Sequence, residues 1–197
     1  MRSILLFGLL ASLPACSPDG PVPAEATASP GGSEPAEPNA PNALTANGWG
    51  PIRIGMTRAE VVAAAGEDAN PEAVGGPEPE ACDVFRPTDA PDGMLVMLEA
   101  GVVTRLTVSD PARVQTPAGF GVGDDGAAVE ASYADLAEVT PHKYVEMPAR
   151  YVTIWNTPLR PGREAEARGI RYEIGGDGRV THVHAGGPSI QYVESCL

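Results

Sequence analysis

The stretch IRIGMTRAEVVAAAG, residues 52–66, carries a full set of helix-boundary signals inside a chain otherwise rich in proline and acid. Thr57 and Glu60 stand three apart in the order of a capping box, in which hydroxyl and carboxylate each satisfy a backbone N–H that a first turn leaves orphaned. Alanines and valines follow, and Gly66 suits the residue just past a helix end. Ile52 and Ile54 alternate with Arg53 on the approach, as a short strand or extended arm does.

The pattern returns in GFGVGDDGAAVEASYA, residues 119–134, with Val122 on Ile54, Gly123 on Gly55, Asp125 on Thr57 and Val129 on Val61. Asp125 can cap, although the glutamate partner is missing. A second pair of segments agrees. GMLVMLEAGVVTRLTV (93–108) and GIRYEIGGDGRVTHVHA (169–185) both alternate with period two, break at glycine and re-enter a strand, which is a hairpin pattern. Met94, Val96 and Leu98 share one face, as do Ile170, Tyr172 and Ile174; Asp177-Gly178 is the stronger of the two turns. Further strands are expected at residues 151–155 and 190–193. Two segments recurring in one order imply an internal duplication. The expected fold class is therefore α+β: two tandem repeats of a helix plus antiparallel sheet, residues 44–115 and 116–197.

The front of the chain reads differently. Arg2 precedes the short apolar run of residues 4–13, too brief to span a bilayer and of signal-peptide type. LPAC, residues 13–16, resembles the lipobox of bacterial lipoproteins. That resemblance implies cleavage after residue 15 and lipidation of Cys16, anchoring the chain to the membrane through its acyl groups; Ser17 resembles the pattern sorted to the outer membrane. Residues 16–43 then form a lipidated N-terminus and tether, with seven prolines after Cys16 and no aromatic residue. Such a composition buries too little surface to offset its ordering entropy. The expected location is the periplasm, lipid-anchored at the outer membrane.

Assigning Cys16 to lipid leaves Cys82 and Cys196 in an oxidising compartment, where a disulfide is the expected state. It would close a long loop and, on the chain-entropy account, contribute roughly 4.7 kcal/mol.

The helix start, with Gly55, Met56, Thr57, Val61 and Gly66, resembles that of small envelope lipoproteins of the SmpA/OmlA (BamE) type. The tandem arrangement resembles β-lactamase inhibitor protein, built from two helix-plus-sheet repeats. Nothing outside the helix start matches, so neither resemblance carries over a functional residue.

Lys and Arg number 13 against 26 Asp and Glu, a net charge of −13, and this acidity argues against nucleic acid as a partner. Chemistry is thinly signalled. His182 and His184 lie two apart on a strand and share a face, a spacing that could serve a metal. The matching positions of the first copy, Arg105 and Thr107, read as solvent-facing, so no metal is assigned. Asp124-Asp125 are explained by capping. The turn glycines 175–178 lack the helix of a phosphate loop, and neither a GxSxG elbow nor an HExxH helix occurs. No catalytic residue and no cofactor are assigned.

Aromatic residues are scarce, so their clustering draws attention. His142, Lys143, Tyr144, Tyr151 and Trp155 form a candidate binding patch. Tyr151 and Trp155 share strand parity opposite Val152 and Ile154; they are exposed if that pair faces the core, and are core otherwise. The function expected is non-catalytic binding of an envelope protein, as a scaffold or inhibitor-type module. A glycan stacked on Tyr151 and Trp155 is the alternative, and an enzyme with a scattered site is the third reading.

Overall fold

The structure is a computed structural model that describes residues 42–72 and 76–196. The leader, the lipobox and nearly all of the tether lie outside the described residues.

Two strands, β1 (Gly48–Trp49) and β2 (Ile52–Arg53), make a small antiparallel ribbon before helix α1 (Arg58–Ala65). The capping box forms: Thr57 accepts from the Glu60 amide, and the Glu60 carboxylate accepts from the Thr57 amide at 2.8 Å. Gly66 ends the helix at φ +86°, where a Cβ would collide with Thr88. Helix α2 (Gly126–Tyr133) starts at Asp125, whose carboxylate accepts from Ala127 and Ala128.

The remaining strands are β3 (Cys82–Phe85), β4 (Met94–Glu99), β5 (Val102–Ser109), β6 (Glu138–Pro141), β7 (Arg150–Thr157), β8 (Arg168–Ile174) and β9 (Val180–Gly186). They form one antiparallel sheet in the order β3-β4-β5-β9-β8-β7-β6. Both expected hairpins are present, β4–β5 and β8–β9, the second turning through Gly178 at φ +78°.

The expected two-repeat α+β architecture is not what the chain forms. Strand β5 pairs with β9, Leu106 opposite Ala185, so the hairpins of the two halves are neighbours in a single seven-stranded sheet. The protein is mostly β, with only two α-helices among the described residues, each of eight residues. The physical reason is that an isolated hairpin is marginal in water and its edge exposes unpaired amides. Pairing β5 with β9 removes two such edges at once. Residues 188–191 form a 3-10 turn instead of the strand expected over 190–193.

Register fixes what each face of the sheet carries. Leu106, Ala185, Ile170 and Ile154 lie opposite one another across β5, β9, β8 and β7. Val108, Val183, Tyr172, Val152 and Val139 make the next apolar row, ending on β6. As far as β7 these rows pack with Val61 and Ala65 of α1, Val129 of α2, and Leu44 and Ile52 of the N-terminal arm as the core, while Val139 is exposed. No helix among the described residues is long and apolar enough to cross a membrane.

Candidate functional site

The alternate positions of the same strands place polar groups on the opposite face. One row runs Thr107, His184, Arg171, Thr153 and Glu138; the next runs Ser109, His182, Glu173, Tyr151 and Thr140. Two irregular segments cover these rows. The C-terminal tail, residues 187–196, is fastened by the Cys82–Cys196 disulfide, with Cα atoms 5.4 Å apart. The loop of residues 142–149 links β6 to β7.

Arg105 and Thr107, expected at the surface, are buried, Arg105 at 2% exposure. The tail explains this. Arg105 donates through Nη1 to the carbonyls of Ser189 and Tyr192 (3.0 and 3.2 Å) and through Nη2 to Ser195 Oγ at 2.9 Å. Burial pushes its pKa down to about 10. Arg171, lowered likewise by burial, lies with Cζ 3.7 Å from the Tyr151 ring centroid.

Glu173 is the focus of the face. All three histidines of the chain converge on it. His142 Nε2 is 3.2 Å from Oε1, His182 Nδ1 3.6 Å from Oε1 and His184 Nε2 3.6 Å from Oε2. Burial alone would raise the Glu173 pKa, but the facing imidazoles of His182, His184 and His142 outweigh it and hold the carboxyl far below its usual range. His184 is pinned on its other side by Thr107 Oγ1 at 2.9 Å, and burial lowers its pKa to about 4.

His142 is held by a different set of bonds. Its Nδ1 accepts from the amides of Tyr144 and Val145, each at 3.1 Å, which curls the loop around the ring. A neutral imidazole whose Nδ1 lone pair is so engaged carries its proton on Nε2 and donates it to Glu173. That tautomer has no free nitrogen for a metal. Accordingly, among the described residues no group of three or more His, Cys, Asp or Glu is arranged to hold a metal ion.

Thr107, His184 and Glu173 follow one another as a hydroxyl, an imidazole and a carboxylate, the order of a nucleophilic triad. The hydroxyl and imidazole are both buried, at 7% exposure each, so a substrate would have no approach to them.

The candidate patch is split by the fold. Tyr151 is buried at 3% exposure, its ring stacked on His142 at 4.8 Å between centroids. Val152 and Ile154 face the core, as one of the two parity readings required, yet Tyr151 is buried too because the polar face is roofed. Trp155 is half-buried at the far end of β7, while Lys143 and Tyr144 are exposed on the loop. Tyr144 donates its hydroxyl to Glu194 of the tail. A cleft of about 500 Å³ between loop and tail is lined by Met97, Glu99, Lys143, Tyr144, Tyr192 and Glu194.

Glu173, Arg171 and Arg105 were missed by sequence reasoning, which treats alternating polar residues as solvated. The one usable signal was that three scarce histidines all stand close to hairpin strands.

The open part of the surface lies at the β6 edge. Of the eight exposed large apolar residues among the described residues, five fall within residues 136–147: Leu136 (75%), Val139, Tyr144 (65%), Val145 and Met147 (71%). The opposite edge strand, β3, carries the Cys82 disulfide and the Arg58–Asp83 ion pair.

No protein family, curated protein or solved structure matches the chain.

Proposed function

We propose that this is an exported, lipid-anchored binding protein of the bacterial envelope, tethered through Cys16 at the outer membrane and docking a protein partner on residues 136–147. The observation that carries the reading is the concentration of exposed apolar side chains in that one segment, which includes a free sheet edge. Large exposed apolar patches mark interaction sites, and an open edge accepts an added strand. The apolar row Val108–Val183–Tyr172–Val152 ends unfinished at Val139, so an added strand would extend it. Glu138 and Glu146 punctuate the segment, with Asp135 just before it, against the single Lys143. The partner is therefore a protein offering an extended apolar segment with basic side chains. A glycan stacked on Tyr151 and Trp155 is disfavoured, because Tyr151 lies under His142 and beside Arg171.

The test is photo-crosslinking in intact envelopes from probes at Val139 and Met147, with a control at Asp92 away from the segment. One protein captured at both probes, absent at the control and lost in Val139→Glu, is expected. Equal capture at all three positions would overturn the reading. The N-terminal mass from the same sample reads the lipidation of Cys16.

A further inference from the structure

Resting on that docking reading, we infer that residues 142–149 are a proton-sensitive latch: neutral His142 holds the loop on the sheet, and protonating it releases the loop that carries Tyr144, Val145 and Met147.

The argument starts from the ring. At Nδ1 it accepts two amides of its own loop, and at Nε2 it donates to Glu173 on β8. Every polar atom of the neutral imidazole is thus used, and the carboxylate below is the loop's anchor on the sheet. An added proton goes on Nδ1, the one ring nitrogen that carries none. There it faces two N–H donors at 3.1 Å, so both hydrogen bonds become repulsive contacts. The Nε2 contact to Glu173 gains charge, but a single contact gains where two are lost.

The ring meets Glu173 of β8 and stacks on Tyr151 of β7; His182 and His184 of β9 approach the same carboxylate, and Arg171 of β8 lies over the same tyrosine. Arg105 of β5 lies behind His184, Glu138 of β6 faces Arg171, and within the loop Tyr144 lies edge-on to the ring beside Lys143 and Glu146. Glu194 of the tail takes the Tyr144 hydroxyl. Of these charged groups Arg105 and Arg171 are buried and Glu173 is half-buried. Histidine is the side chain suited to a change of protonation between about pH 5 and 8.

Release reaches the docking segment directly. His142 follows the last residue of β6, and its amide bonds Ala149 across the base of the loop. Freeing the ring therefore loosens the end of the edge strand and redistributes three of the five exposed apolar side chains. Acid would unseat the partner.

Nitrogen-15 NMR of the full chain near pH 7.5 reads the tautomer, and the Nε2–H form is expected; an Nδ1–H form would overturn the latch without any variant being made. Amide hydrogen exchange then follows the loop. After allowance for the intrinsic pH dependence, Tyr144 and Val145 are expected to lose about tenfold protection between about pH 7.5 and 5.5, while the β8 and β9 amides hold. His142→Asn, whose side-chain oxygen accepts the same amides but takes no proton, should flatten that dependence. A flat wild-type profile, or a dependence surviving in His142→Asn, would refute it. These readouts need no partner. Crosslinking that fails beside a pH-dependent loop sinks the docking reading alone; a captured partner beside a flat loop sinks the latch alone.

Discussion

On one face of the sheet Leu106, Ala185, Ile170 and Ile154 meet across four strands; one residue along β5, Arg105 and Thr107 begin a face that carries Arg171, Glu173 and two histidines. The first face is satisfied by any apolar cover of about the right volume, and two short helices with the N-terminal arm supply it. The second needs donors and acceptors as well as volume, because a buried polar group without a partner is costly; most of its groups find one, while Arg105 Nε, Arg171 Nε and the Tyr151 hydroxyl do not. Its cover is therefore irregular chain, a tail and a loop whose carbonyls, hydroxyls and amides are aimed one by one. Apolar cover confers stability with little specificity. Polar cover makes the tail and loop specific, and leaves them open to redox state and pH.

The largest test of that contrast is removal of the fastening. Replacing Cys82 and Cys196 together by serine opens a disulfide spanning 114 residues of sequence. Urea unfolding should show a loss of about 4–5 kcal/mol. The same denaturation midpoint with and without reductant would mean that the tail stays seated without its bond, and the polar face would then be self-sufficient.

Next come two neighbours on β5 that point to opposite faces. Leu106→Ala opens a cavity in the dry core and is expected to cost about 4 kcal/mol. Arg105→Met removes a buried charge, which helps, but strands the carbonyls of Ser189 and Tyr192; the net loss should be about 1–3 kcal/mol. If Arg105→Met costs more than Leu106→Ala, the polar cover is the stronger of the two.

Acid separates the faces again, since the histidines all lie on one of them. His184 has a folded-state pKa of about 4, below its ordinary 6.5. Below the higher value the unfolded chain binds a proton that the folded chain refuses. Stability is thus whole above about pH 6.5 and is lost as pH falls towards 4, by as much as about 3 kcal/mol. Glu173, held low, contributes fully above the ordinary carboxylate range and gives up its share only in stronger acid. Denaturation at stepped pH should show this slope, and His184→Gln should reduce it. An unchanged slope in His184→Gln would place the acid sensitivity elsewhere.

Much of the apolar face could be read from residue order, because its signals are local. Thr57 and Glu60 cap α1, Asp125 caps α2, and the alternation of residues 94–98 and 170–174 sets both hairpins. The disulfide followed from counting cysteines. What could not be read is the pairing of Leu106 with Ala185, a contact between distant segments, and that pairing turned an expected duplication into one sheet. The polar face was hidden for a related reason. Arg105, Thr107 and Tyr151 sit at positions that alternation assigns to solvent or leaves open, and only the placement of the tail and loop buries them. Of the candidate patch, Lys143 and Tyr144 stay at the surface, while Tyr151 became part of the packing beneath it.

The smallest effect concerns the helical cover of the apolar face. Thr57 accepts from the Glu60 amide and donates its hydroxyl to the Glu60 carboxylate at 2.8 Å; Thr57→Ala removes both side-chain bonds and keeps the backbone half of the box, from the Thr57 amide to that carboxylate. Asp125→Ala removes one carboxylate that serves two amides of α2. Each is expected to cost about 1 kcal/mol, read as a shift in urea midpoint. Both starting residues are exposed, so water can take over the orphaned amides and the dry rows beneath need not move. That tolerance is what an apolar cover predicts. A loss several times larger from either substitution would mean that the helices are held as specifically as the tail, and the distinction between the two faces would collapse.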